Sequence, residues 1–175
     1  LGAAFEIIDL NDDDVPELII SEPEGCRIYM FTGGTVSVVT SGGLYYSNGV
    51  TENHNYTGST DQIDSNYYSS PKGIKAGVKD ESGSTTTYSG GLVISGGTIN
   101  VTTSGNNAEG IESKNYLTIN GGYITVNAHD DGINSAQDMT ITDGYIYARA
   151  TDNDGIDSNG NLYLQGGLVY AIGAS

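Results

Sequence analysis

Tryptophan is missing from the 175-residue chain, cysteine occurs once, histidine twice and proline three times, and Lys and Arg together number only six. Each scarcity excludes something. One thiol, Cys26, rules out an intramolecular disulfide and leaves the compartment open. No apolar run approaches the length of a membrane span, so membrane insertion is not expected. With 22 Asp and Glu against those six cations the formal net charge is −16. Such a surface repels phosphate backbones and anionic lipid, which sets nucleic acid and membranes aside as partners and favours divalent cations. A chain nearly free of Cys and His is also a poor zinc binder. The start at Leu1 shows no signal-peptide pattern, so the chain reads as a mature product or an excised fragment. What is abundant is Gly, at 26 residues, and Tyr, at 13. Together they favour short strands joined by Gly-rich turns, in one domain with at most a small appendage.

The C-terminal part repeats. EGIESKNYLTINGGYITVNAHD from Glu109, DGINSAQDMTITDGYIYARATDN from Asp131 and DGIDSNGNLYLQGGLVYAIGAS from Asp154 align directly, the first two being 22 and 23 residues long. A looser copy starts at Lys72, is interrupted by the polar insertion ESGSTTTYSG and resumes to Gly105. Apolar positions alternate within each copy, the period of a half-buried strand. Aligned copies give five columns: Ile74/Ile111/Ile133/Ile156, Leu92/Leu117/Met139/Leu162, Ile94/Ile119/Ile141/Leu164, Ile99/Ile124/Ile146/Val169 and Val101/Val126/Ala148/Ala171. One coil of this length cannot bury its inner face, but coils stacked at a strand spacing can. The expected fold is therefore all-β, a parallel β-helix, right-handed by the general crossover preference. Between the two strands of each copy sits Gly96-Gly97, Gly121-Gly122, Asp143-Gly144 or Gly166-Gly167, where a recurring corner needs φ > 0.

Acidic residues recur at fixed offsets around a Gly-Ile pair. Glu109, Asp131 and Asp154 precede it, Glu112, Asn134 and Asp157 follow it, and Asp130, Asp152 and Asn153 lie just upstream. Like charges stacked one strand apart repel unless something neutralises them. A calcium ion between coils, with its six to eight oxygen ligands, would do so, whereas the plainer reading makes these residues solvated turn acids. In the first copy Lys72 and Lys75 occupy the two acidic positions, and are expected to neutralise Glu109 and Glu112.

Residues 1–62 read as a separate small β region. In FEIIDLNDDDVPELIIS, Asp9, Asn11, Asp13 and Glu17, with the Val15 carbonyl, have the spacing of a calcium loop. Strands flank the motif in place of helices, and Asp14 stands where an EF-hand has Gly. The stretch Ile28–Thr40 reads as a hairpin about Gly33-Gly34, and the polar stretch from Ser41 to Ser70 as a linker or irregular first coil. The repeat domain is expected over 63–175 and to be truncated at its C-terminal end, since an uncapped apolar end would be sticky.

From about Asp64 to Ser175, the segments SPKGIKA, ISGGTINVTTSGNNAEGIESK, LTINGG, DDGINSA and DGIDSNGNLYLQGG resemble a family of bacterial carbohydrate-binding domains with a right-handed parallel β-helix fold. The resemblance implies a secreted or cell-surface module that binds cellulose or acidic, polygalacturonate-like polysaccharide. It also implies calcium on Glu109, Glu112, Asp131, Asn134, Asp154 and Asp157. Tyr123 stacks on Tyr145, and Tyr147 on Tyr170, in columns expected to point outward, where aromatic faces could hold a sugar. A calcium-stiffened stalk or adhesin segment, self-associating or joined to further modules through open solenoid ends, is the structural alternative. A polysaccharide lyase or polygalacturonase is the enzymatic one, disfavoured because the repeats offer few bases and lack polygalacturonase motifs.

Overall fold

The structure, a computed structural model, describes residues 35–40 and 72–174 in full, together with strand backbone at 4–8, 17–22, 25–29, 45–46, 54–55 and 68–69. Among these residues every regular element is a strand, and no helix is long and apolar enough to cross a membrane. β1 (Ala4–Ile8), β2 (Glu17–Glu22) and β3 (Gly25–Tyr29) form an antiparallel meander. β4 (Thr35–Thr40) follows. Three two-residue strands, β5 (Tyr45–Tyr46), β6 (His54–Asn55) and β7 (Tyr68–Ser69), then make a small antiparallel sheet.

From Lys72 the chain winds into four stacked coils, each laying one strand on each of three sheets. The first coil has β8 (Lys72–Ala76), then an antiparallel hairpin of β9 (Val78–Ser82) and β10 (Thr85–Ser89), then β11 (Gly91–Ile94) and β12 (Thr98–Thr103). The second has β13 (Glu109–Ser113), β14 (Tyr116–Ile119) and β15 (Tyr123–Ala128). The third has β16 (Ile133–Ser135), β17 (Met139–Ile141) and β18 (Tyr145–Ala150). The fourth has β19 (Ile156–Ser158), β20 (Leu162–Leu164) and β21 (Leu168–Ile172). Sheet I is therefore β8-β13-β16-β19, sheet II ends in β11-β14-β17-β20 and sheet III holds β12-β15-β18-β21, all paired parallel.

All five apolar columns are in register across the coils. Their middle members, Ile111, Ile133, Leu117, Met139, Ile124 and Ile146 among them, are fully buried. Alternation thus becomes a continuous apolar interior, because each coil offers the next one the same inner face. The corner from sheet II to sheet III is taken by Gly97, Gly122, Gly144 and Gly167 at φ of 84, 104, 112 and 81°. There the coils touch, with Tyr123 N–H donating to the Gly97 carbonyl at 2.8 Å. A different constraint acts at Gly110 in sheet I, where an added Cβ would meet Val126 Cγ1 at 2.2 Å.

The stretch Ile28–Thr40 departs from the expected hairpin. β3 and β4 lie in different sheets, β3 parallel to β11 with Cys26 opposite Leu92, and β4 parallel to β12 with Val36 opposite Ile99. An alternating strand looks the same whether it folds back on its sequence neighbour or lies on a coil. Burial of Val36, and packing of Val38 against the core, favour the second arrangement, which extends two of the apolar columns by one member.

Candidate functional site

Two outer surfaces gather the residues singled out by sequence. On sheet I, Glu109 is paired with Lys72 and Glu112 with Lys75 in neighbouring strands, as the lysine-for-acid exchange in the first copy predicts. Lys72 Nζ is 2.7 Å from Glu109 Oε1 and Lys75 Nζ is 3.7 Å from Glu112 Oε2. Lys114 also donates to Glu112 Oε1. Both glutamates are buried, and Oε2 of each accepts no hydrogen bond. Burial pushes the Glu109 carboxyl up, the Lys72 ammonium opposing it.

One coil further, sheet I carries no Lys or Arg. Asp131 is buried, its Oδ1 accepting the Asp154 N–H at 3.1 Å and its Oδ2 accepting from Asn134 Nδ2 at 3.2 Å. Burial pushes its carboxyl up to about 7 against the pull of the Asp154 N–H, with the charges of Asp130, Glu109 and Asp157 adding to the rise. Asn134 stacks between Glu112 and Asp157, and its Oδ1 is buried without a hydrogen-bond partner. Asp157 is half-buried and accepts from Asn159 Nδ2 at 3.1 Å. Asp130 is half-buried as well, whereas Asp152, Asn153 and Asp154 are exposed.

Calcium fits these two levels unequally. Glu109 and Glu112 already have ammonium partners. Asp131, Asn134 and Asp157 have none in the ion pairs of the described residues, and offer carboxylate and amide oxygens of the hard type that calcium takes. Among the described residues no three Asp, Glu, His or Cys side chains converge as a ready metal-holding group. The loop of Asp9, Asn11, Asp13 and Val15 lies outside the described residues, and Glu17 is described only as the first residue of β2.

A serine ladder was overlooked in the sequence. Ser113, Ser135 and Ser158 stack in register in sheet I. Ser135 Oγ donates to the Asn115 carbonyl at 2.8 Å, and Ser158 Oγ to that of Gln137 at 3.0 Å, tying each turn to the coil before it. Its signal was present in GIES, GINS and GIDS, where Ser holds one offset from Gly-Ile.

On sheet III the alternation turns Tyr123, Tyr145, Tyr147 and Tyr170 outward, while Ile124, Val126, Ile146 and Ala148 face in. Tyr123 pairs with Tyr145, and Tyr147 with Tyr170. Ring centroids lie 6.1 Å apart for Tyr123 and Tyr145 and 6.0 Å for Tyr145 and Tyr170, tilted by 31° and 51°. The three rings of this staggered row are 68, 38 and 47% exposed, so the row runs along the stacking direction and keeps ring surface open to solvent.

No curated protein and no solved structure gives a match to the chain. A family model for carbohydrate-binding domain-containing proteins matches residues 66–174, more than half of the sequence and all four coils with both of these surfaces. That match supports non-catalytic binding of carbohydrate, with a polysaccharide as the general partner. The chain belongs to the family of carbohydrate-binding domain-containing proteins.

Proposed function

We propose that the chain is a secreted module that holds a plant cell-wall or other acidic polysaccharide against sheet III without cleaving it. The observation that carries this reading is the exposed tyrosine row. Aromatic faces pack the axial C–H groups of a pyranose, and their hydroxyls serve its polar rim. Because the row follows the stacking direction, an extended chain can run across successive coils with one sugar after another on a ring. Tyr145→Ala removes the central ring from an exposed position. It should abolish retardation in affinity electrophoresis through soluble cellulose analogue or polygalacturonate while leaving the melting temperature within a few degrees. Unchanged retardation would rule out this face.

Calcium enters the proposal at the level of Asp131, Asn134, Asp154 and Asp157. What supports it is a set of stacked acids that, among the described residues, form no ion pair, beside an amide oxygen that lacks a hydrogen-bond partner. Titration of chelator-stripped protein should show calcium uptake that Asp131→Ala weakens. Uptake without retardation on any glycan would favour a stiffened stalk, and no uptake would make the column a set of turn acids.

A further inference from the structure

Of the cations whose side chains are described, Lys72, Lys75, Lys79 and Lys114 each form an ion pair, with Glu109, Glu112, Glu81 and Glu112 respectively. Arg149 forms none. Its isolation stands out in a chain of net charge −16, where carboxylates are plentiful. Position explains it. Arg149 lies on β18 two residues beyond Tyr147 and four beyond Tyr145, and the alternation that buries Ala148 and Ala150 turns Arg149 out with the tyrosines. In the ladder it stands between Asn127 and Ile172, neither of them acidic. The outward positions of β15, β18 and β21 in sheet III, apart from Arg149, are Tyr, Thr, Asn, Leu and Ile. Apart from Asp143 at the corner before Tyr145, the acids of the described coils lie on sheet I, its corners and the β9–β10 hairpin, so the outward strand positions of the tyrosine face carry one positive charge and no negative one.

A guanidinium presents a rigid fork of donors that matches a carboxylate or a sulfate ester in two parallel hydrogen bonds. A neutral glycan offers it only hydroxyls. We propose that Arg149 is the specificity-determining residue of the tyrosine face, gripping an anionic substituent, carboxylate or sulfate, of a saccharide seated on Tyr145, Tyr147 and Tyr170, and that it does so without a metal ion. The inference rests on the proposed sugar-binding role of that face and adds the chemistry it selects.

The test is affinity electrophoresis in chelator through polygalacturonate, dextran sulfate and hydroxyethylcellulose, run on the wild type, Arg149→Gln, Arg149→Lys and Tyr145→Ala. Arg149→Gln should weaken binding to an anionic chain about tenfold or more and leave the neutral chain unaffected, the loss expected for a charge-assisted pair. Arg149→Lys keeps the charge without the fork and should fall between. Loss on polygalacturonate alone identifies a carboxylate as the group read, and loss on dextran sulfate alone identifies a sulfate. Equal binding of Arg149→Gln and wild type to all three glycans would overturn the assignment while leaving the tyrosine face intact. A wild type retarded by none of them would overturn the sugar-binding reading of the face and the role of Arg149 with it. Because Arg149 is exposed, equal melting temperatures should accompany these differences, and a large drop in melting in Arg149→Gln would assign the residue to the fold instead.

Discussion

Asp131 is a carboxyl group held where its charge is costly. Its pKa of about 7 in the fold lies above the ordinary 3.8, so between those values the folded state keeps a proton that the unfolded chain releases. Stability is therefore greatest below about pH 4 for this group, declines as pH rises towards 7, and carries the full penalty above that. In chelator the melting temperature should be higher at pH 5 than at pH 8. Asp131→Asn should reduce that difference, leaving the contribution of Glu109, whose shift has the same sign. A flat wild-type profile would show that water reaches the carboxyl freely. The registry of these acids was legible in the sequence because their offsets from Gly-Ile are fixed. Their burial was not, since alternation says which face a residue takes and not what covers it, and the strand Glu109–Ser113 is buried on both faces.

At the scale of the element, the corners between sheets II and III show how a turn residue is selected by backbone and by neighbour at once. Gly122 combines a φ of 104° with the Gly97 carbonyl oxygen 2.9 Å from where a Cβ would sit. Gly96, one residue before the equivalent corner, has open space around that point and no positive φ. Gly122→Ala should destabilise the fold by about 1–3 kcal/mol, the usual cost of a strained backbone conformation. Gly96→Ala should cost under about 1 kcal/mol, and urea unfolding of the two variants side by side measures the difference. Gly pairs are visible in any alignment of the copies, which made these corners predictable. The placement of β4 was not, because parallel and antiparallel pairing share one alternation and only the buried Val36 tells them apart.

The whole molecule is a stack in which each coil touches its neighbours and little else, so local events need not propagate. That property made the architecture readable from sequence: five columns of apolar residues specify the register as well as the fold. It also makes the stack tolerant at its edges. The hairpin of β9 and β10 replaces, in the first coil, the short turn that the second makes with Lys114 and Asn115, and all of its residues are exposed. Replacing residues 78–89 with such a turn should leave the melting temperature within a few degrees and the strand content of the coils unchanged by circular dichroism. A collapse in stability would mean that the hairpin caps something.

The hairpin's ends are paired, Val78 with Ser89, and are set off from the coil by Gly77 and Gly90 at φ of 77 and 70°. Chain leaves and re-enters the wall there at neighbouring points, on the edge between sheets I and II and away from the tyrosines of sheet III. The coil thus contains a socket. An epitope, a fluorophore-bearing loop or a second small domain whose own termini lie a strand spacing apart can be plugged into it, and sheet III, in the glycan-binding role proposed for it, would carry that passenger to whatever surface it adheres to.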